Sequence, residues 1–179
     1  MMAHYAAFLR GINVGGHNMV KMEDLRKLFT SLGFTNVATY IQSGNIVFEA
    51  SEKNSHTLSA TIKKKLSLLL GSDVGVFVRT ISSLKEMVWR DPFKEAKQGG
   101  DAKLYVTFLS EEPPQLPKLP LTSPHKDVEV FSIKNLEAFS ISRRHKGRFG
   151  FPNAFIEAKL GTMSTTRNWE TVKNMASSF

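Results

Sequence analysis

Along the first 80 residues the apolar positions alternate between the two-residue period of strands and the period of about 3.6 expected of helices. YAAFLR (Tyr5 to Arg10) predicts a strand. After a glycine-containing loop, Met22, Leu25, Leu28, Phe29 and Leu32 recur at helical spacing, with Glu23 and Asp24 at the positive end of the helix dipole and Gly33 at its exit. VATYI and NIVFE predict two short strands joined by Gln42-Ser43-Gly44, where glycine supplies a positive φ. Ser55 is placed to cap a second helix with Leu58, Ile62, Leu66 and Leu69 on one face and Lys63 and Lys64 on the other, closed by Gly71. VGVFVR (Val74 to Arg79) predicts the last strand. The resulting order, βαββαβ, is that of the ferredoxin-like split unit.

Beyond residue 80 the pattern is less regular. Ser83 with Glu86 forms a capping-box pattern for a helix through Leu84, Met87 and Val88 that ends near Asp91-Pro92. KLYVTFL predicts a strand, and SEEPPQLPKLPLTSP, with five of the seven prolines, predicts an extended connector. VEVFSI and EAFSIS pair as a hairpin through Lys134-Asn135, and two helices follow, AFIEAKL and NWETVKNMA, separated by GTMSTTR. The expectation is a two-lobed α+β chain. Residues 1–80 form a ferredoxin-like subdomain, and residues 81–179 form a second α+β unit, also expected to be ferredoxin-like, packed against it. Strand one is apolar on both faces (Ala6 and Phe8; Tyr5, Ala7 and Leu9), so its second face also needs a cover.

Composition narrows the class. At 179 residues and 41% hydrophobic, the chain can bury a core. No run approaches the roughly 20 apolar residues that cross a bilayer, and the N-terminus lacks the basic flank and long apolar stretch of a secretory signal. The expected setting is a soluble cytoplasmic protein, away from membranes. The absence of cysteine excludes disulfides, thiolate nucleophiles and zinc–thiolate sites. The net charge of +8 favours anionic partners, and it is spread, each half carrying +4. One local concentration stands out in RRHKGR, where Arg143, Arg144, Lys146 and Arg148 make either a solvated loop or an anion-contacting strip.

The βαββαβ order inserts the third strand antiparallel between the first two, which brings the exit of strand one and the strand two–three turn to one edge. Arg10, Asn13, Gly15, Gly16, Gln42, Ser43, Gly44 and Asn45 then converge there, at loops of the kind that collect ligand groups. GINVGGHN has its outer glycines spaced as in G-x-x-x-x-G-K-[ST], yet His17 and Asn18 replace the cation and the metal-binding hydroxyl, and the helical period starts only at Met22. Those departures weigh against a working NTP loop. A general anion cradle with Arg10 as counter-charge and a self-bonded structural connector are the alternatives. SGNIVFE echoes an RNA-recognition strand, but its stacking aromatics are missing, so a core strand is expected. TTRNW is either a Thr-capped helix start anchored by Trp169, Val172 and Ala176, or a helix N-terminus that presents Arg167 and Asn168 to an anion. The five histidines show no ligand spacing, so no metal site is expected, and no cofactor or catalytic residue is identified.

LRGINVGG, TYIQSGNIVF and TTRNWETV, in this order and spacing, resemble the bacterial family catalogued as domain of unknown function 1697. The resemblance spans nearly the whole chain and implies two ferredoxin-like lobes, with no reaction, cofactor or partner attached. By motif match it singles out Arg10, Gly11, Asn13, Gly15 and Gly16; Thr39, Tyr40, Gln42, Ser43, Gly44 and Asn45; and Thr165, Thr166, Arg167, Asn168 and Trp169. The chain departs from the family pattern at Glu170, where a polar amide is usual. Together these features predict a binding domain for an anionic ligand, nucleotide-like or nucleic acid. The alternatives are an enzyme on a small phosphorylated or carboxylated metabolite, with Arg10 and Arg167 holding the anion and Ser43, Tyr40 or His17 moving a proton, and an oligomeric interaction protein.

Overall fold

The structure is a computed structural model that describes residues 1–41, 44–96 and 100–179. The chain divides into two compact units, Met1–Glu86 together with Asn174–Phe179, and Met87–Lys173. In the first unit the order is β1 (Ala3–Arg10), α1 (Met22–Ser31), β2 (Thr35–Tyr40), β3 (Asn45–Ala50), α2 (Ser55–Leu70) and β4 (Gly75–Thr80), followed by α3 (Ile81–Arg90), which continues into the second unit. The four strands form an antiparallel sheet ordered β2-β3-β1-β4, the ferredoxin-like arrangement. Tyr5, Ala7 and Leu9 of β1 and Ile46 and Phe48 of β3 face Leu25, Leu28 and Phe29 of α1 and Leu58, Ile62 and Leu66 of α2. Rings fill the middle: Phe48 lies 4.6 Å from Phe34 and 5.3 Å from Phe29, centroid to centroid. Ala6 and Phe8, on the other face of β1, are also fully buried, so this strand has no solvent side.

Two local expectations for this unit need correction. The cap of α2 is Asn54, whose side chain accepts from the His56 and Thr57 amides at 2.9 and 3.2 Å, with Ser55 already helical. Leu69 turns out of the core and is 54% exposed, while Leu70 packs partly against it; the 3.6-residue repeat drifts off the buried stripe by the helix end.

The second unit contains β5 (Ala102–Leu109), β6 (Leu121–Thr122), β7 (Val128–Lys134), β8 (Glu137–His145), β9 (Arg148–Phe149), α4 (Asn153–Leu160) and β10 (Ser164–Asn168), with α5 (Trp169–Ala176) running on from β10. Its sheet is ordered β10-β5-β8-β7-β6, every pairing antiparallel. Setting aside the short edge strand β6, this is the strand order of the first unit, with the proline-rich stretch 110–127 in the place of the first crossover helix. Leu109, Val130, Ala138, Ile156 and Leu160 form a buried cluster under α4. Helix α3 opens one turn earlier than the capping-box pattern suggested: the Thr80 hydroxyl accepts from the Ser83 amide at 3.1 Å, so Thr80 is the cap. The β7–β8 turn lies one residue later than expected, on Asn135 and Leu136, both at positive φ. GTMSTTR is not simply a linker, because Ser164–Asn168 pairs along β5.

Candidate functional site

Strand β1 leaves the sheet at Arg10 and enters a small hairpin. The Asn13 amide donates to the Asn18 carbonyl at 3.2 Å and the His17 amide to the Val14 carbonyl at 3.0 Å. At the tip, Gly15 and Gly16 have φ of 58° and 77°, both left-handed, as a two-residue type I′ turn requires. Asparagine side chains knit the base of the hairpin. Asn13 clasps Val20, accepting from its amide at 2.8 Å and donating to its carbonyl at 3.0 Å. Asn18 donates to the Gly11 carbonyl at 2.9 Å and accepts from the Ser72 hydroxyl at 2.5 Å, which ties the loop to the entry of β4. The connector expected from Asn chemistry is present, and the hairpin does not hand its amides to a helix: α1 begins only at Met22, behind Lys21.

The glycine hairpin and the β2–β3 turn touch. A Cβ on Gly44 (φ 75°) would lie 2.9 Å from both Cδ1 and Cγ1 of Ile12 and 3.0 Å from Cβ of Leu9, and the Leu9 amide donates to the Gly44 carbonyl at 2.8 Å. Only glycine admits both this φ and this contact. Asn45, fully buried beside Phe8, donates to the Tyr40 carbonyl at 3.2 Å and closes the turn from inside. Tyr40 is half-buried, and its hydroxyl accepts from the Asn174 amide group at 2.8 Å, a partner that no local pattern in the sequence announces. Thr39 accepts from Arg26 at 2.9 Å. Arg10 pairs with Gly75 across β1–β4, its stem 3.1 Å from where a Gly75 Cβ would sit. Arg10, Gly11, Asn13, Gly15, Gly16, Tyr40, Gly44 and Asn45 are therefore grouped at one edge of the first unit, with Gly11, Gly15, Gly16 and His17 exposed. Gln42 and Ser43 lie outside the described residues.

The third motif belongs to the second unit. Arg167 is folded back on its own strand, donating to the Thr165 hydroxyl at 2.8 Å and the Thr166 carbonyl at 3.0 Å. Burial pushes its guanidinium down to about 10, which leaves it cationic at neutral pH. Thr166 shares a hydrogen bond with Thr107 at 2.8 Å and donates to Asn153 at the same distance. Trp169 is buried, 5.1 Å from Phe93, and packs rather than projects. Asn168 is exposed, and its carbonyl oxygen accepts from the Glu170 amide at 2.9 Å, so Asn168, and not a threonine, starts α5. The NIVFE strand is core, Phe48 being fully buried, and it has no exposed stacking ring. Among the described residues no three His, Asp or Glu side chains are grouped to hold a metal, and no helix is long and apolar enough to cross a membrane.

Sequence reasoning missed the Ile12–Gly44 contact and the Asn174–Tyr40 bond. It also missed the aromatic partner of the basic stretch, Phe149, whose ring centroid lies 4.5 Å from the Arg144 guanidinium. Each depends on a tertiary neighbour far along the chain or on an apolar residue with no periodic signature.

A family model described as "Protein of unknown function (DUF1697)" matches residues 2–139, which takes in the first two motifs but not TTRNW. No curated protein matches the chain. Among solved structures, a conserved bacterial protein, SP0830 from Streptococcus pneumoniae, is similar over 98% of both chains, with a TM-score of 0.66 and 21% identity. That likeness is one of fold.

Proposed function

The chain belongs to the DUF1697 family, and from that premise we propose that its N-terminal unit is a binding domain for an anionic ligand, nucleotide-like or nucleic acid, at the rim formed by the glycine hairpin and the β2–β3 turn. The observation that supports this reading is the close approach of Ile12 to Gly44, which brings the glycine hairpin and the β2–β3 turn together although they lie some thirty residues apart. The supporting chemistry is of three kinds. Gly15 and Gly16 lie exposed at the tip, and neither carries a side chain of its own that would keep an anion from its main-chain N–H. Arg10 enters the rim from β1. The chain as a whole carries +8, which raises the local concentration of any anion.

Thermal unfolding in the presence of tripolyphosphate, nucleotides and short oligonucleotides tests the proposal. A ligand at about a hundred times its Kd stabilises by about 2.7 kcal/mol, a shift readily seen in Tm. The expected result is a Tm increase that fades as salt rises and is lost in Arg10→Ala at unchanged far-UV circular dichroism. If no anion moves Tm at any ionic strength, the reading is wrong.

A further inference from the structure

Helix α2 ends in three consecutive leucines, Leu68 to Leu70. Successive helical residues stand about 100° apart, so three in a row cover about 200° of the circumference and cannot all enter one core. Leu66 is fully buried and Leu70 packs partly against the same core, while Leu68 and Leu69 turn outward at 75% and 54% exposure. With Lys65 they stand at i, i+3 and i+4, on one face of the helix. That face lines a groove of about 800 Å³ within the first unit. Helix α1 lines it too, through Asp24, Leu28 and Ser31 at i, i+4 and i+7. Met19 and Val20 complete the apolar lining from the segment before α1, and Met19 is 65% exposed.

The charged lining is Lys21, Lys27 and Lys65 against Asp24. Lys27 is paired with Glu23 at 2.8 Å, whereas the side chains of Lys21 and Lys65 have no partner among the described residues. Asp24 lies in the first turn of α1, where the helix dipole offsets its charge. The groove therefore combines uncovered leucines with two uncommitted cations. A second copy would bring like charge against those lysines, since the first 80 residues carry nine Lys and Arg against five Asp and Glu. A lone alkyl chain would stay largely in water, because Met19, Leu68 and Leu69 remain more than half exposed. An amphipathic helix needs cover on one face only, which an open groove between two helices supplies. From Lys21 to Ser31 the α1 side is about 15 Å long at about 1.5 Å per residue, the reach of about three helical turns. We propose that this groove docks an acidic amphipathic helix of a partner protein, with apolar anchors at i, i+3 or i+4, and i+7 against Met19, Leu68 and Leu69 and its carboxylates on Lys21 and Lys65.

The probe is a fluorescein-labelled synthetic peptide of about 15 residues, with leucines at that spacing and glutamates beside them, titrated with the full chain and read by anisotropy. Two further peptides serve as controls: the same residues scrambled to remove the stripe, and a version with lysine in place of glutamate. The acidic striped peptide is expected to bind tightest and to shift the Met19, Leu68 and Leu69 methyl signals of carbon-13-labelled protein. Leu68→Ser/Leu69→Ser, which alters exposed side chains and should leave Tm and circular dichroism unchanged, should weaken its binding about 10- to 100-fold. Lys21→Glu/Lys65→Glu should make the lysine-flanked peptide the better ligand. Equal binding of the scrambled peptide, or a leucine double variant that binds like the parent, would overturn the proposal. So would absence of peptide binding, whether the chain instead binds phosphatidylserine vesicles, forms a dimer in sedimentation that the leucine double variant loses, or does neither.

Discussion

The two units arrive at one strand order by different first crossovers. From β1 the chain passes through the glycine hairpin and returns as α1, which inserts Leu25, Leu28 and Phe29 into the core. From β5 it passes through a stretch with five prolines, forms only the two-residue strand β6, and offers Leu119 and Leu121 as partly buried cover. The comparison teaches that strand register fixes this topology, while the connection needs only to supply apolar side chains over the sheet. A helix does this with a continuous stripe. An extended proline-rich segment does it with single residues, since each proline removes a donor and fixes φ.

The largest effect expected from this contrast is at the crossovers themselves. Leu25→Ala should cost about 2–5 kcal/mol, as buried leucine truncations do, whereas Leu121→Ala should cost about 1 kcal/mol. Urea unfolding of both variants measures the difference, and equal losses would show that the proline connection carries as much core as the helix. Next is Gly44→Ala. A Cβ there meets Ile12 at 2.9 Å from a left-handed backbone, so a loss of about 1–3 kcal/mol is expected, with Ile12→Ala/Gly44→Ala losing less than the sum of the two single variants. Additive losses would show that the hairpin and the turn are energetically separate.

The smallest effect is a titration. Asp127 is held below the usual carboxylate range chiefly by the hydrogen bond from Ser123, with smaller pulls from His125 and His145. A carboxyl depressed in the folded state contributes stability above its unfolded pKa, and that contribution is lost as pH falls through the folded value. Ser123→Ala should move the Asp127 titration up, read from its side-chain carbon shift by NMR. An unmoved titration would remove Ser123 as the cause.

Much of the first unit was legible because its elements carry clean periods: β1 and β3 as apolar runs, α1 with Leu25, Leu28 and Phe29 on one stripe. The second unit was harder for identifiable reasons. Ser164 to Asn168 is a strand of polar residues whose hydroxyls are satisfied by Thr107 and Asn153, so its burial left no hydrophobic signal. The caps were displaced because Thr80 and Asn54 compete with Ser83 and Ser55 at neighbouring positions, and residue type alone does not choose between them. The grouping of the glycine hairpin with the β2–β3 turn followed from topology, because antiparallel insertion of β3 leaves no other edge for them. The basic stretch Arg143 to Arg148 was visible as charge, but the ring under Arg144 was not, since Phe149 follows no repeat.

The most direct test of the central claim is an NMR titration of the nitrogen-15-labelled chain with tripolyphosphate. The amides of Gly11, Gly15, Gly16 and His17 are expected to shift first and saturably, and Arg10→Ala to abolish those shifts. Shifts confined to other parts of the chain, with the hairpin amides unmoved, would contradict it.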